Sequence, residues 1–93
     1  MTDEKFESYA PEVSDGFLWE PIPDGCLLFE ESTGKLITLN ASAEAVLTHC
    51  DGELTVAQIC RILESDFQIP SEETRSVLKR LLEEGVISPP AGT

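Results

Sequence analysis

The stretch KLITLNASAEAVLTHCDG, Lys35–Gly52, changes its hydrophobic period at its middle, and that change decides the fold. Lys35-Leu36-Ile37-Thr38-Leu39 is an apolar and β-branched run of strand length, in which Ile37 and Leu39 share one face and Leu36 and Thr38 the other. From Asn40 the spacing lengthens to 3.6. Ala43, Val46, Leu47 and Cys50 follow at i, i+3, i+4 and i+7, the stripe of an amphipathic helix. Asn40 is placed to cap that helix, because its side-chain oxygen can accept an amide the first turn leaves unpaired. Asp51-Gly52 predicts its end, since both residues tolerate a left-handed backbone.

Toward the N-terminus, Cys26-Leu27-Leu28-Phe29 is a second strand-length run, and Glu30-Glu31-Ser32-Thr33-Gly34 links it to the third as a hairpin. Phe17-Leu18-Trp19-Glu20 precedes it, with turn chemistry over Pro21-Ile22-Pro23-Asp24-Gly25. Three antiparallel strands in a meander are expected. Toward the C-terminus, Thr55 and Gln58 form a capping-box pair before the stripe Val56, Ile59, Cys60, Leu63 and Phe67. Ile69-Pro70 breaks that helix, and Ser71 is placed to cap a third. Its first turn holds Glu72 and Glu73, and its stripe is Val77, Leu78, Leu81 and Leu82. Gly85 predicts its stop, and Val86-Ile87 a short extended wing. The expected class is α+β: a three-stranded antiparallel sheet followed by three helices, winged helix-turn-helix-like.

The chain has 93 residues, enough for one domain with a single core. Residues 1–16 carry five acids and one lysine without apolar periodicity, so a flexible acidic segment is expected there, with Phe6 and Tyr9 as side chains able to dock. Residues 89–93 are expected to be a disordered tail. Eighteen acids against six bases leave a net charge of −12, which phosphate and anionic lipid both repel. No apolar run reaches membrane-spanning length and MTDEKFESYA has no signal pattern, so a cytoplasmic protein is expected.

Little here points to catalysis. His49 and Cys50 are neighbours on a helix and point about 100° apart, which is no catalytic dyad. No glycine-rich phosphate loop occurs, and no cofactor is implied. A closed zinc site would need Cys26, Cys50, Cys60 and His49 together, so the three thiols are read as reduced and packed as small hydrophobes. Glu30-Glu31, Glu72-Glu73 and Glu83-Glu84 are read as solvated surface. The last two helices resemble a helix-turn-helix, and Arg75, Lys79 and Arg80 are half of the chain's bases. Yet four acids outnumber them over residues 71–87, and Glu83 and Glu84 stand in register to pair with Lys79 and Arg80. A winged-helix DNA-binding regulator or protein-interaction module is therefore the alternative reading.

One phrase is more specific. Leu39-Asn40-Ala41-Ser42-Ala43, the apolar pair Val46-Leu47, Cys50-Asp51-Gly52, then Thr55-Val56 with Ile59 and Leu63 resembles the PqqD family, as does the closing Leu81-Leu82-Glu83-Glu84-Gly85-Val86-Ile87. The resemblance covers residues 17–88. It implies a RiPP recognition element, a non-catalytic peptide chaperone that binds the leader of a ribosomally made precursor peptide. Such an element presents that leader to a tailoring enzyme, in the namesake system a radical SAM enzyme of pyrroloquinoline quinone biosynthesis. It also implies that the third strand, Lys35, Leu36, Ile37, Thr38 and Leu39, is the edge on which the peptide adds, packed against the third helix. The expected helix contributions are Leu78 and Leu82 toward the groove and Arg75 and Lys79 along its rim. A free edge can equally pair with its own copy, which would make a homodimer.

Overall fold

The computed structural model describes residues 4–89. It is an α+β fold of three strands and four helices: α1 (Glu4–Glu7), β1 (Phe17–Ile22), β2 (Gly25–Glu30), β3 (Leu36–Asn40), α2 (Ala41–Thr48), α3 (Val56–Phe67) and α4 (Ser71–Glu83). The strands form an antiparallel meander in the order β1-β2-β3. Cys26, Leu28, Ile37 and Leu39 alternate onto one sheet face and are buried there. They meet Val46 and Leu47 of α2, Ile59 and Leu63 of α3, and Leu78 and Leu81 of α4 in a single core.

Local chemistry sets most boundaries. Asn40 ends β3 and caps α2, its Oδ1 accepting the Ala43 N–H at 2.8 Å. Thr55 and Gln58 complete the capping box of α3. The β1–β2 turn is tighter than expected, with Ile22 paired to Gly25 and only Pro23 and Asp24 between. Asp24 takes the left-handed backbone, φ 69°. Gly25 is required where it stands, because a Cβ there would meet the Leu39 carbonyl oxygen at 1.9 Å. Ser71 is not a cap. Pro70 occupies that position, its carbonyl accepting from Thr74 N–H, and no side chain bonds the helix start. Phe67 departs from its stripe as well. It is 53% exposed and stands edge-on to His49, because α3 is ending where the core no longer reaches.

The acidic N-terminal segment is the larger correction. Over residues 4–16 it is docked on the helices, with Phe6, Tyr9 and Pro11 buried. Tyr9 and Pro11 carbonyls accept from Val56 N–H and Gly52 N–H, and the Tyr9 hydroxyl donates to the Ser88 carbonyl. Ser14 N–H donates to Val86 and Ser88 N–H to Glu12, so the expected wing at Val86-Ile87 pairs with this arm. The arm's main chain therefore supplies what its sparse apolar pattern could not announce. Most of the tail expectation falls on residues 90–93, outside the described residues.

All three cysteines are buried free thiols. Burial, with Asp51 beside it, pushes the Cys50 thiol up to about 12 from 9.0. Burial likewise lifts the Tyr9 phenol to about 12 from 10.0. Both groups are favoured neutral in the folded chain, so the stability they lend is complete below the unfolded values and lost as pH climbs through the folded ones. The thermal midpoint should fall between pH 9 and 12, and less steeply in Cys50→Ala; calorimetry over that range checks it. A second expectation concerns Thr74, fully buried with a hydroxyl that has no hydrogen-bond partner among the described residues. Thr74→Val keeps the shape and removes the stranded group, and should raise stability by about 1 kcal/mol in a urea melt.

Candidate functional site

A strand at a sheet edge bonds its neighbour through alternate residues, and the others point their N–H and C=O groups outward. Glu30 N–H donates to the Lys35 carbonyl at 2.9 Å, which marks that pair as hydrogen-bonded. Stepping by two along the register makes Leu28–Ile37 and Cys26–Leu39 the bonded pairs between β2 and β3. Leu36 and Thr38 must then turn both backbone groups to the open side. The opposite edge checks the parity. Glu31 N–H donates to Gly16, so β2 spends its remaining groups, at Gly25, Leu27 and Phe29, on β1.

The two edges differ in what they offer. On β1 the outward positions are Phe17, Trp19 and Pro21, and Pro21 has no N–H to give. That is why the strand runs through Pro21 instead of stopping before it. On β3 nothing is missing from the main chain. Leu36 and Thr38 each present a donor and an acceptor, and Asn40 adds its N–H, its carbonyl serving the first turn of α2.

α4 lies alongside this edge and runs antiparallel to it. Lys35 Nζ bridges Glu84 Oε1 at 2.5 Å, and one turn back Arg80 Nη2 donates to the Thr38 carbonyl at 3.3 Å. At 100° per residue, Val77, Arg80 and Glu84 fall on the flank of α4 that faces β3. Thr74, Leu78 and Leu81 form the buried stripe. Arg75, Lys79 and Leu82 form the opposite flank, toward the N-terminal arm. There Arg75 holds Glu7 in a bidentate pair at 2.7 and 2.8 Å, and Lys79 Nζ sits 5.6 Å from the Phe6 ring centroid.

The residues expected at the site therefore divide. Lys35, Leu36 and Thr38 line the β3 edge, exposed. Ile37 and Leu39 point into the core beneath it, as their alternation requires. Leu78 is fully buried and lines no groove. Leu82 is half-buried against the core, and Arg75 and Lys79 serve the arm. Val77, Arg80 and Glu84 take the places expected of these four. The pairs Lys79–Glu83 and Arg80–Glu84 do not form as salt bridges among the described residues, because each base has a partner elsewhere.

Two bases, Lys35 and Arg80, stand beside the Glu84 carboxyl at the groove. The Lys35 ammonium holds the Glu84 carboxyl below its ordinary range, with Arg80 adding to the effect. Arg75 does the same for Glu7. Among the described residues no group of three or more His, Cys, Asp or Glu is placed to hold a metal ion, and no helix is long and apolar enough to cross a membrane. What the groove presents is main-chain hydrogen-bonding capacity, flanked by Val77, the Lys35–Glu84 ion pair and the Arg80 guanidinium. Such a surface has the hydrogen-bonding complement of an extended main chain.

The profile of the family described as Coenzyme PQQ synthesis protein D (PqqD) matches residues 25–87. Among solved structures, the heterocyclase TruD superposes with a TM-score of 0.67 at 31% identity, covering 86% of this chain and 11% of that one. This chain thus spans about a tenth of the heterocyclase's length. TbiB1 in complex with the TbiA(β) leader peptide superposes with a TM-score of 0.69 at 17% identity, covering 86% of this chain and 98% of that one. Lasso peptide synthetase B1 complexed with its leader peptide gives 0.71 at 15%, with 86% and 99% covered. At such identities the last two speak to the fold. No curated protein matches the sequence significantly.

The edge parity predicts an exchange pattern in the unliganded protein. The Ile37 and Leu39 amides, bonded into the ladder, should be protected from hydrogen exchange, while Leu36 and Thr38 exchange at least about tenfold faster. Amide-resolved exchange by NMR reads this directly, and slow exchange at Thr38 would mean that the edge is covered.

Proposed function

The chain belongs to the PqqD family, and from that premise we propose that it is a non-catalytic module that binds the leader region of a ribosomally made precursor peptide. It presents that leader to a tailoring enzyme, of the radical SAM type in the family's namesake pathway. The unit that does this spans residues 17–88, braced by the arm before it. The leader adds as a fourth strand on β3 and packs its inward side chains against Val77, Arg80 and Glu84 of α4.

The observation that carries this reading is the contrast between the two sheet edges. One lacks a donor at Pro21 and the other keeps every outward group. Two structural neighbours hold leader peptides, which supports the same reading. Main-chain bonds supply affinity that tolerates sequence change, and the side-chain flank supplies selectivity. A few such bonds with two or three seated side chains suit a dissociation constant of about 1 μM, or roughly 8 kcal/mol. The alternative of a DNA reader is disfavoured by where the bases lie. Arg75 and Arg80 stand on opposite flanks of α4, and both are engaged within the chain.

Thr38→Pro tests the proposal at one atom. Its N–H points away from β2, so the ladder survives the substitution, whereas Ile37→Pro would break it. Precursor leaders encoded beside the gene should bind the parent chain and bind Thr38→Pro at least about tenfold more weakly, with an unchanged circular dichroism spectrum. Equal affinity for both proteins would refute strand addition at β3.

A further inference from the structure

The Arg80–Thr38 contact has no structural duty that the core requires. Arg80 is exposed, its guanidinium reaches 3.3 Å to a main-chain oxygen, and no salt bridge holds it among the described residues. The oxygen it touches is one of the two outward carbonyls of the β3 edge. We infer that Arg80 is both gate and selector of this edge: it covers the Thr38 carbonyl while the groove is empty, and on docking it yields that oxygen to a guest N–H and takes a guest carboxylate. The inference rests on the reading of the groove as a peptide site and adds to it the chemistry of one guest residue.

Three observations carry it. A guest strand brings a main-chain donor to about 2.9 Å, closer than the guanidinium stands now and on the same open side of β3, so the ladder bond competes with the side chain for that oxygen. The released guanidinium keeps its charge and all its N–H donors, so it is free to bind an anionic group brought into the groove. The carboxylate nearest along its own flank, Glu84, is already bound to Lys35 at 2.5 Å. A carboxylate on the guest is then the natural acceptor, in the forked geometry that suits guanidinium.

Sheet geometry also assigns its register. The Thr38 side chain points to the outer face, so the guest residue opposite it does too. The guest residues opposite Ile37 and Leu39 point inward, toward α4. In a guest strand antiparallel to β3, the selected Asp or Glu is therefore an immediate neighbour of the residue whose N–H bonds the Thr38 carbonyl. One acid is favoured and more are not, because Glu73 lies on the same flank of α4 and the chain carries a net charge of −12.

The test uses the full chain and a displayed library of random twelve-residue peptides, selected in parallel against the parent and Arg80→Gln. Arg80 lies outside the core, so the variant keeps its fold, which a thermal melt verifies. Parent-selected peptides should perturb the Leu36, Thr38 and Asn40 amides and carry a single Asp or Glu at one fixed position. Changing that acid to its amide should weaken binding to the parent about tenfold and leave binding to Arg80→Gln unchanged. Peptides that dock on these amides with no acidic preference, or that lose equal affinity on both proteins, overturn the role of Arg80 while peptide docking stands. Selected peptides that leave the β3 amides unmoved overturn docking at this edge, and the gate with it.

Discussion

Everything in this molecule turns on a counting constraint in the main chain. β2 lies between two partners and spends all its backbone groups, but a three-stranded sheet must leave two edges unfinished. β1 blunts its edge with Pro21. β3 has no such device, and among the described residues its outward groups at Leu36 and Thr38 are answered by one guanidinium lent from α4. Asn40 then ties the strand's end to the start of α2, which holds the edge in place relative to the helices.

The N-terminal arm gives α4 its orientation from the other side. Glu7 and Phe6 engage Arg75 and Lys79, while Tyr9 and Pro11 supply carbonyls to the start of α3 and the turn before it. With one flank of α4 bound by the arm and its buried stripe in the core, the third flank is left facing β3. The acidity of the arm is thus partly structural, since a carboxylate is what Arg75 needs. Most of the remaining negative charge stays on exposed surface, where it sets the sign of the field that an approaching peptide meets.

The strand-to-helix change at Asn40, the capping box at Thr55 and the alternation of Ile37 and Leu39 were legible in the sequence. Each depends on residues a few positions apart. The expectation that β3 is the docking edge came from family likeness, and physical chemistry adds an argument at Pro21, whose missing donor matters only once the register is known. The helix face was misread for a similar cause. Periodicity shows that Leu78 is apolar and Arg75 basic, but it does not say which flank meets which neighbour. That choice belongs to the arm, whose docking rests on main-chain hydrogen bonds and two aromatic side chains, and leaves no periodic trace. Arg80 looked like one half of a helical salt bridge because its true partner, a carbonyl 42 residues away, carries no signature in side-chain chemistry.

The central claim is that a guest polypeptide becomes the fourth strand of this sheet. Its most direct test is an isotope-filtered nuclear Overhauser experiment on the chain bound to a leader encoded beside its gene. The account predicts short contacts from peptide Hα protons to the Ile37 and Leu39 Hα protons and to the Leu36 and Thr38 amide protons, alternating along β3. Contacts confined to Leu18 and Phe29 on the outer sheet face, with the β3 main chain untouched, would contradict it.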